Sequence, residues 1–314
     1  MSAHPEWIWH DGELKPYMEA QTHVMSHALH YGTSVFEGVR CYASHLGPVI
    51  FRLRAHTRRM YNSAKIYRLD IPFTPDEINS ACHQVIAENR LFNGAYIRPV
   101  AFRGFGDLRI LPSENVPVHV AVAAWQWGSY LGGTDEGVDV CCTSWQRVAP
   151  NTIPALAKAG GNYLSSVLVT LEAQQNGYVE GLAMTHDGLV SEGAGENLFV
   201  AVAGKLYTPP YSASILPGIT RDTVIKLAGR MGITVIQEAL PREVLYIADE
   251  VFLAGTAAEI TPVRSLDRLT IGSGKPGELT RALQDAFFGL FDGRTEDPRG
   301  WLEPVEGIAK KEKG

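Results

Sequence analysis

One lysine has a neighbourhood suited to nucleophilic chemistry. Lys158 lies in residues 155–163, ALAKAGGNY, where almost every neighbour is small or apolar. The local chain offers its ammonium no opposite charge, and the glycines let backbone approach closely. A desolvated ammonium loses part of its preference for the charged form, so the pKa of such a lysine falls. The neutral amine is a nucleophile that forms a Schiff base with an aldehyde or ketone. The alternative is a plain loop or helix-end lysine beside a packed Ala/Gly segment.

Three other segments carry groups that would complement a Schiff-base lysine. Residues 191–199, SEGAGENLF, put Glu192 at the end of a hairpin strand, with three small residues after it. Small residues let a flat molecule lie against the backbone, and a carboxylate there can hold a proton on a heterocyclic nitrogen. Pyridoxal phosphate needs that arrangement, because its protonated ring withdraws electrons from a substrate carbanion. For this segment taken alone, a Gly-rich bulge with a solvated Glu192 is the simpler reading. Residues 216–222, LPGITRD, turn the chain through Pro217-Gly218 straight into a helix. The amides of Ile219 and Thr220, with the Thr220 hydroxyl, would face an anion such as phosphate; ordinary capping would look the same. Residues 254–259, AGTAAE, end a strand in small residues whose amides and Thr256 hydroxyl suit a second anion or an amino-acid carboxylate. A plain turn is again the alternative.

Other patterns fail on chemical grounds. Gly272-Ser273-Gly274-Lys275-Pro276-Gly277 has the wrong leading spacing for a P-loop, and Pro276 stands where a hydroxyl is needed. Gly193-x-Gly195 lacks the third glycine and following helix of a dinucleotide site. His23, His27 and His30 have near-helical spacing, but no acid or cysteine completes a zinc set, so no metal is expected. No G-x-S-x-G elbow is present to support a serine hydrolase.

These groups must be carried by a mixed α and β scaffold. The 314 residues suffice for two domains, with 45% hydrophobic and 20% charged residues and a net charge of −6. That balance leaves no basic footprint for nucleic acid. The only basic run, Lys310-Lys311-Glu312-Lys313, reads as a frayed terminus. Residues 1–16 show no secretory pattern and no window approaches a membrane span. Cys41, Cys82, Cys141 and Cys142 fit free thiols in a reducing cytoplasm. Trp7 to Leu14 reads as strand, Asp-Gly turn, strand. Residues 34–42, 49–53, 95–102 and 117–125 read as extended, and 55–67 and 75–89 as helices. Residues 1–127 thus form an N-terminal domain, and the Gly-rich polar stretch 128–137 a linker. Residues 138–314 form the second domain. In it 138–143, 181–184, 189–192, 197–202, 205–208 and 250–254 are strands, and 161–176, 220–231, 242–248 and 277–291 are helices.

Taken together, the segments resemble the bacterial branched-chain amino-acid aminotransferases, pyridoxal-phosphate enzymes of fold type IV. The resemblance runs from Trp7 to about Trp301. It is densest over 23–42 (HVMSHALHYGTSVFEGVRCY), 149–166 (APNTIPALAKAGGNYLSS), 191–199, 216–222 and 255–264 (GTAAEITPVR). It implies a small N-terminal α/β domain and a larger, β-rich C-terminal one. It also implies that Lys158 carries pyridoxal 5'-phosphate as a Schiff base and moves a proton between substrate Cα and cofactor C4′. Glu192 would pair with the ring nitrogen and Tyr163 with the ring oxygen. Arg59 would clamp the phosphate with Ile219, Thr220 and Thr256.

On the substrate side, the resemblance implies that Thr256, Ala257 and Tyr96 meet the amino acid's carboxylate. Arg98, on the same strand face as Tyr96, would hold the distal carboxylate of glutamate or 2-oxoglutarate, with Tyr31 from a neighbouring subunit. Phe36, Gly38, Trp127 and Tyr130 would wall an apolar pocket. Residues 104–112, GFGDLRILP, depart from the family's glycine-rich loop; Ile110 is the match to its apolar contact, and Arg109 adds a charge. The implied reaction passes the amino group of L-leucine, L-isoleucine or L-valine to 2-oxoglutarate in a cytoplasmic homo-oligomer, a dimer or hexamer. Rivals are a D-amino-acid or (R)-amine aminotransferase or aminodeoxychorismate lyase of the same fold, and a pyridoxal-phosphate carrier without catalysis.

Overall fold

The computed structural model describes residues 4–128, 130–132 and 135–307. The basic run at 310–313 and parts of the expected linker lie outside the described residues. The chain divides into two compact units, one of residues 1–128, 157–161 and 290–314, the other of residues 129–156 and 162–289. This division differs from the expected one: the lysine segment and the C-terminal stretch fall with the first unit rather than the second.

The first unit is an eight-stranded sheet with helices packed on it. β1 (Trp7–His10) and β2 (Glu13–Pro16) form the expected hairpin. Asp11 and Gly12 both have positive φ, the two-residue turn whose twist suits flanking strands. A five-residue helix α1 (His27–Tyr31) follows, then β3 (Ser34–Phe36), β4 (Val39–Ser44) and β5 (Gly47–Phe51). Next come α2 (Leu53–Ile66) and α3 (Pro75–Glu88). α3 starts where Thr74 and Glu77 cap each other's backbone and Pro75 needs no amide partner. β6 (Ala95–Arg103) and β7 (Val118–Gln126) complete the sheet centre, and the strand Leu302–Pro304 pairs with β5 at its edge. Val39, Ile50, Leu53, Met60, Ile78, Ile86, Ile97 and Val122 make up the core.

The second unit holds a nine-stranded sheet. Its elements are β8 (Val138–Gln146), α4 (Tyr163–Gln175), β9 (Glu180–Met184), β10 (Val190–Gly193), β11 (Asn197–Val202) and β12 (Lys205–Thr208). Then follow α5 (Ile219–Arg230), β13 (Val235–Gln237), β14 (Glu250–Gly255), β15 (Glu259–Leu266), β16 (Leu269–Thr270) and α6 (Glu278–Asp292), whose residues from 290 on are counted with the first unit. The order is β10-β9-β8-β15-β14-β11-β12-β13. Val140, Leu182, Leu198, Val251, Leu253 and Val263 fill its core.

The strand β15 differs from expectation, which had only a turn there. Pro262 lacks an amide for a central ladder, yet β15 sits between β14 and β8. It is tolerated because pairing with β8 begins only at Val263. The helix expected over 242–248 is a single 3-10 turn, Arg242–Leu245. The four cysteines are free thiols, three of them buried. Among the described residues no helix is long and apolar enough to cross a membrane.

Candidate active site

In the first unit the candidate residues gather around a break in the sheet. β6 pairs with β4 over Ala95–Ile97 and with β3 over Val100–Phe102. Arg98 and Pro99 fall in the gap, opposite Glu37-Gly38, where the Glu37 amide donates to the Pro99 carbonyl at 2.8 Å. The lysine segment lies along the outside of β3. The Phe36 amide donates to the Lys158 carbonyl (3.0 Å), the Lys158 amide donates to Ser63 Oγ on α2 (2.9 Å), and Ala159 bridges Val35. The peptide of Lys158 is therefore fixed at both its N–H and its C=O.

Lys158 Nζ stands 4.7 Å from the centroid of the Phe36 ring. Burial pushes its pKa down to about 8; Arg59 lowers it further, Glu37 and Tyr96 oppose, and Arg98 adds a smaller lowering effect. The local reading of a depressed lysine thus has the right direction. The groups that tune it come from α2, β6 and the link between β3 and β4, and the local sequence does not contain them.

Glu37 was not singled out by its residue type, yet it organises this half of the site. It is fully buried. Its Oε1 accepts from Arg59 Nε (2.7 Å), and its Oε2 accepts from Arg59 Nη2 (2.8 Å), His56 Nδ1 (2.7 Å) and the Gly38 amide (3.3 Å). Burial alone would raise this carboxyl, but the Arg59 charge and the hydrogen bonds outweigh it and hold it well below the usual range. His56 is held below its ordinary value by burial, against the pull of Glu37. A neutral ring donating from Nδ1 meets both conditions.

Tyr96 and Arg98 do share a strand face, and it is not an outward one. The Arg98 guanidinium lies 4.8 Å from the Phe36 centroid, 5.5 Å from Tyr96 and 5.9 Å from Trp125. Trp127 packs on Tyr96 at 5.1 Å between centroids. The Nε of Arg98 is buried and makes no hydrogen bond. Gly38 is obligatory here, because a Cβ on it would stand 1.8 Å from the Tyr96 hydroxyl. Trp125 is a wall residue the sequence reading did not name. Tyr130 belongs to the other unit and is largely exposed.

The departing loop is fastened to α1. The Tyr31 hydroxyl donates to the Leu108 carbonyl (2.8 Å), and His27 Nε2 donates to the Arg109 carbonyl (2.9 Å). Ile110, 85% exposed, stands clear of the fold. His23 and His30 have separate tasks, Nδ1 of His23 accepting from the Met25 amide and Nε2 of His30 meeting the Val24 carbonyl.

In the second unit Glu192 ends β10 and is buried rather than solvated. Oε1 pairs with Arg147 Nη2 (2.8 Å), and Oε2 accepts from Asn197 Nδ2 (2.9 Å) and the Leu216 amide (3.0 Å). Asn197 also donates to the Leu216 carbonyl at 3.0 Å. One asparagine thus ties the acid to the turn that starts α5. A Cβ on Gly218 would stand 2.0 Å from Asn197 Oδ1, so a larger residue at that helix N-cap would displace the asparagine amide. The N-cap has no side-chain cap; Thr220 follows, buried, in the first turn. Thr256 and Ala257 lie in the turn from β14 to β15, closed by the Gly255–Glu259 pair. Tyr163 opens α4, half-buried. Neither Arg147 nor Asn197 was foreseen. Asn197 lies inside the SEGAGENLF run, whereas Arg147 carries no local signal.

Comparison with known proteins agrees with this geometry. Residues 34–266 match the family model of the class IV amino-transferases. The branched-chain-amino-acid aminotransferase of Salmonella typhimurium is 55% identical over 302 residues, covering 96% of this chain and 97% of the relative. The crystal structure of the Escherichia coli branched-chain amino acid aminotransferase superposes with a TM-score of 0.95 at 54% identity, covering 96% and 99% of the two chains. The T.th. branched-chain amino acid aminotransferase, solved with pyridoxamine 5'-phosphate, gives a TM-score of 0.92 at 44% identity, with coverage of 96% and 99%. The family match spans most of the length and the Salmonella typhimurium relative is more than half identical over nearly the whole chain: the chain belongs to the class IV aminotransferases.

Proposed function

We propose that the protein transfers the amino group of L-leucine, L-isoleucine or L-valine to 2-oxoglutarate, giving the branched 2-oxo acids and L-glutamate, with pyridoxal 5'-phosphate as cofactor. The observation that carries the choice of substrates is Arg98. Its guanidinium is walled by Phe36, Tyr96 and Trp125, and its buried Nε has no hydrogen-bond partner. A half-buried guanidinium whose Nε donor is unmet, set in aromatic walls, suits a guest that presents either a carboxylate or an aliphatic side chain. Alternating between glutamate and a branched-chain amino acid makes that demand.

The residues present fit the cofactor. When bound, pyridoxal phosphate supplies an aldehyde carbon for the amino group and a ring that withdraws electrons. Lys158 Nζ, with its pKa near 8, is poised to lose a proton, attack a carbonyl carbon, and later carry the proton from substrate Cα. Glu192, buried and paired with Arg147, would hold a proton on the ring nitrogen, and Tyr163 would donate to the ring oxygen. Arg59 would face the phosphate with its plane fixed by Glu37. The Ile219 and Thr220 amides at the start of α5 and the Thr256 hydroxyl would complete the anion site. Thr256, Ala257 and Tyr96 would receive the α-carboxylate, with Phe36, Gly38, Trp127 and Tyr130 bordering the side chain. Exposed Val24, Leu29 and Ile110 support a homo-oligomer in which Tyr31 and Ile110 serve a neighbouring subunit.

Initial rates with L-leucine, D-alanine and (R)-1-phenylethylamine test the reading. L-leucine is expected to be fastest with 2-oxoglutarate as acceptor, and Lys158→Ala to abolish turnover. Preference for D-alanine or the amine, or wild-type turnover in Lys158→Ala, would overturn it.

A further inference from the structure

We infer that Arg147 is a positioning residue for Glu192, one that keeps this carboxylate ionised and sets its plane for the cofactor's ring nitrogen. Burial disfavours the charged form of a carboxyl. The two donors on Oε2, from Asn197 and Leu216, are neutral amides. Arg147 brings positive charge to the other oxygen at 2.8 Å. Its backbone is fixed independently, the Arg147 amide donating to the Met184 carbonyl of β9 at 2.8 Å.

The guanidinium itself is poorly compensated. Arg147 is 9% exposed, and its Nε is buried without a hydrogen-bond partner. An unmet buried N–H costs free energy that a neutral residue at this position would avoid. Arg147 is thus badly placed for its own hydrogen bonding and well placed for Glu192. Arg221 on α5 also feels the Glu192 charge. Its guanidinium is engaged elsewhere, donating to Thr208 Oγ1 (3.2 Å), the Pro209 carbonyl (3.0 Å) and Gln237 Oε1 (2.9 Å). Arg147 makes a direct ion pair with Glu192. An acid that stays charged can accept a ring N–H at every working pH; one that takes up its own proton cannot.

The inference rests on the pyridoxal-phosphate reading, and its test separates the two. Full-length wild type, Arg147→Met, Arg147→Lys, Glu192→Gln and the Arg147→Met/Glu192→Gln double variant are freed of cofactor. Pyridoxal phosphate affinity is then measured by fluorescence titration from pH 6 to pH 9. Arg147→Met is expected to bind roughly ten- to hundredfold more weakly, the loss from one charge-assisted hydrogen bond, and most weakly at low pH. Arg147→Lys should recover part of the affinity. In the Glu192→Gln background the arginine change should matter little, by less than about threefold. If Arg147→Met does not fold, the lysine variant and the Glu192→Gln pair, which leave no buried carboxylate without a cation, carry the comparison. Arg147→Met binding like wild type across the pH range, or losing the same factor without Glu192, would overturn the inference alone. Wild type with no affinity for pyridoxal phosphate would overturn the underlying reading as well.

Discussion

Replacing Lys158 with methionine should stabilise the cofactor-free protein at neutral pH. Burial, reinforced by Arg59, brings the lysine from 10.5 to about 8. A base with a depressed folded pKa binds its proton more tightly when unfolded. The folded state is therefore penalised at every pH below about 8, and the penalty fades as pH rises through 10.5. At pH 7 the full displacement corresponds to about 3 kcal/mol. The residue keeps some solvent contact, and screening reduces this to about 1–2 kcal/mol. At pH 10 the same relation leaves less than about 1 kcal/mol. Methionine keeps the length and the contact with Phe36 and carries no charge. Urea unfolding of both proteins at pH 7 and pH 10 makes the comparison, in which other titrating groups cancel. Lys158→Met is expected to be the more stable at pH 7, with most of the advantage gone at pH 10. Equal or lower stability at pH 7, or an advantage that does not change with pH, would refute the claim that desolvation sets this amine's pKa.

Three further outcomes follow from the geometry. Glu37→Gln removes the carboxylate that opposes Arg59, so Lys158 should titrate below 8; competitive acetylation read by peptide mass spectrometry measures this, and an unmoved midpoint counts against the electrostatic account. Arg98→Met should raise KM for 2-oxoglutarate roughly ten- to hundredfold while changing KM for the oxo acid of leucine little; parallel losses on both would point to a structural role. Gly38→Ala places a methyl 1.8 Å from the Tyr96 hydroxyl, and is expected to cost about 1–3 kcal/mol in stability with a loss of turnover; thermal melts and steady-state rates check both.

Much of the fold was legible because its signals are local. The Asp11-Gly12 hairpin and the proline and acids that open α3 are each written within a few residues. What escaped lacks such signals. α1 spans five residues and β16 two. β15 carries a proline whose tolerance depends on where its neighbour's ladder begins. The lysine segment's place in the first unit rests on backbone bonds to Phe36 and Ser63, partners about a hundred residues away in the sequence.

The site divides along the same line. Lys158 stands out because its own neighbours are small and apolar, whereas the local readings of Glu192 and the Pro217-Gly218 turn favour a solvated bulge and ordinary capping, and their roles come from the resemblance. Glu37 and Arg147 meet partners that folding brings to them: Arg59 lies 22 residues from Glu37, and Arg147, just past β8, meets Glu192 of β10. In each unit a buried carboxylate is paired with a guanidinium, Glu37 with Arg59 and Glu192 with Arg147. The lysine differs in that charges of both signs reach it. Burial sets most of the fall to about 8, as its apolar neighbours predict, and Arg59 and Glu37 pull the amine in opposite directions around it. Changing either partner should therefore move the lysine's titration while residues 155–163 stay untouched.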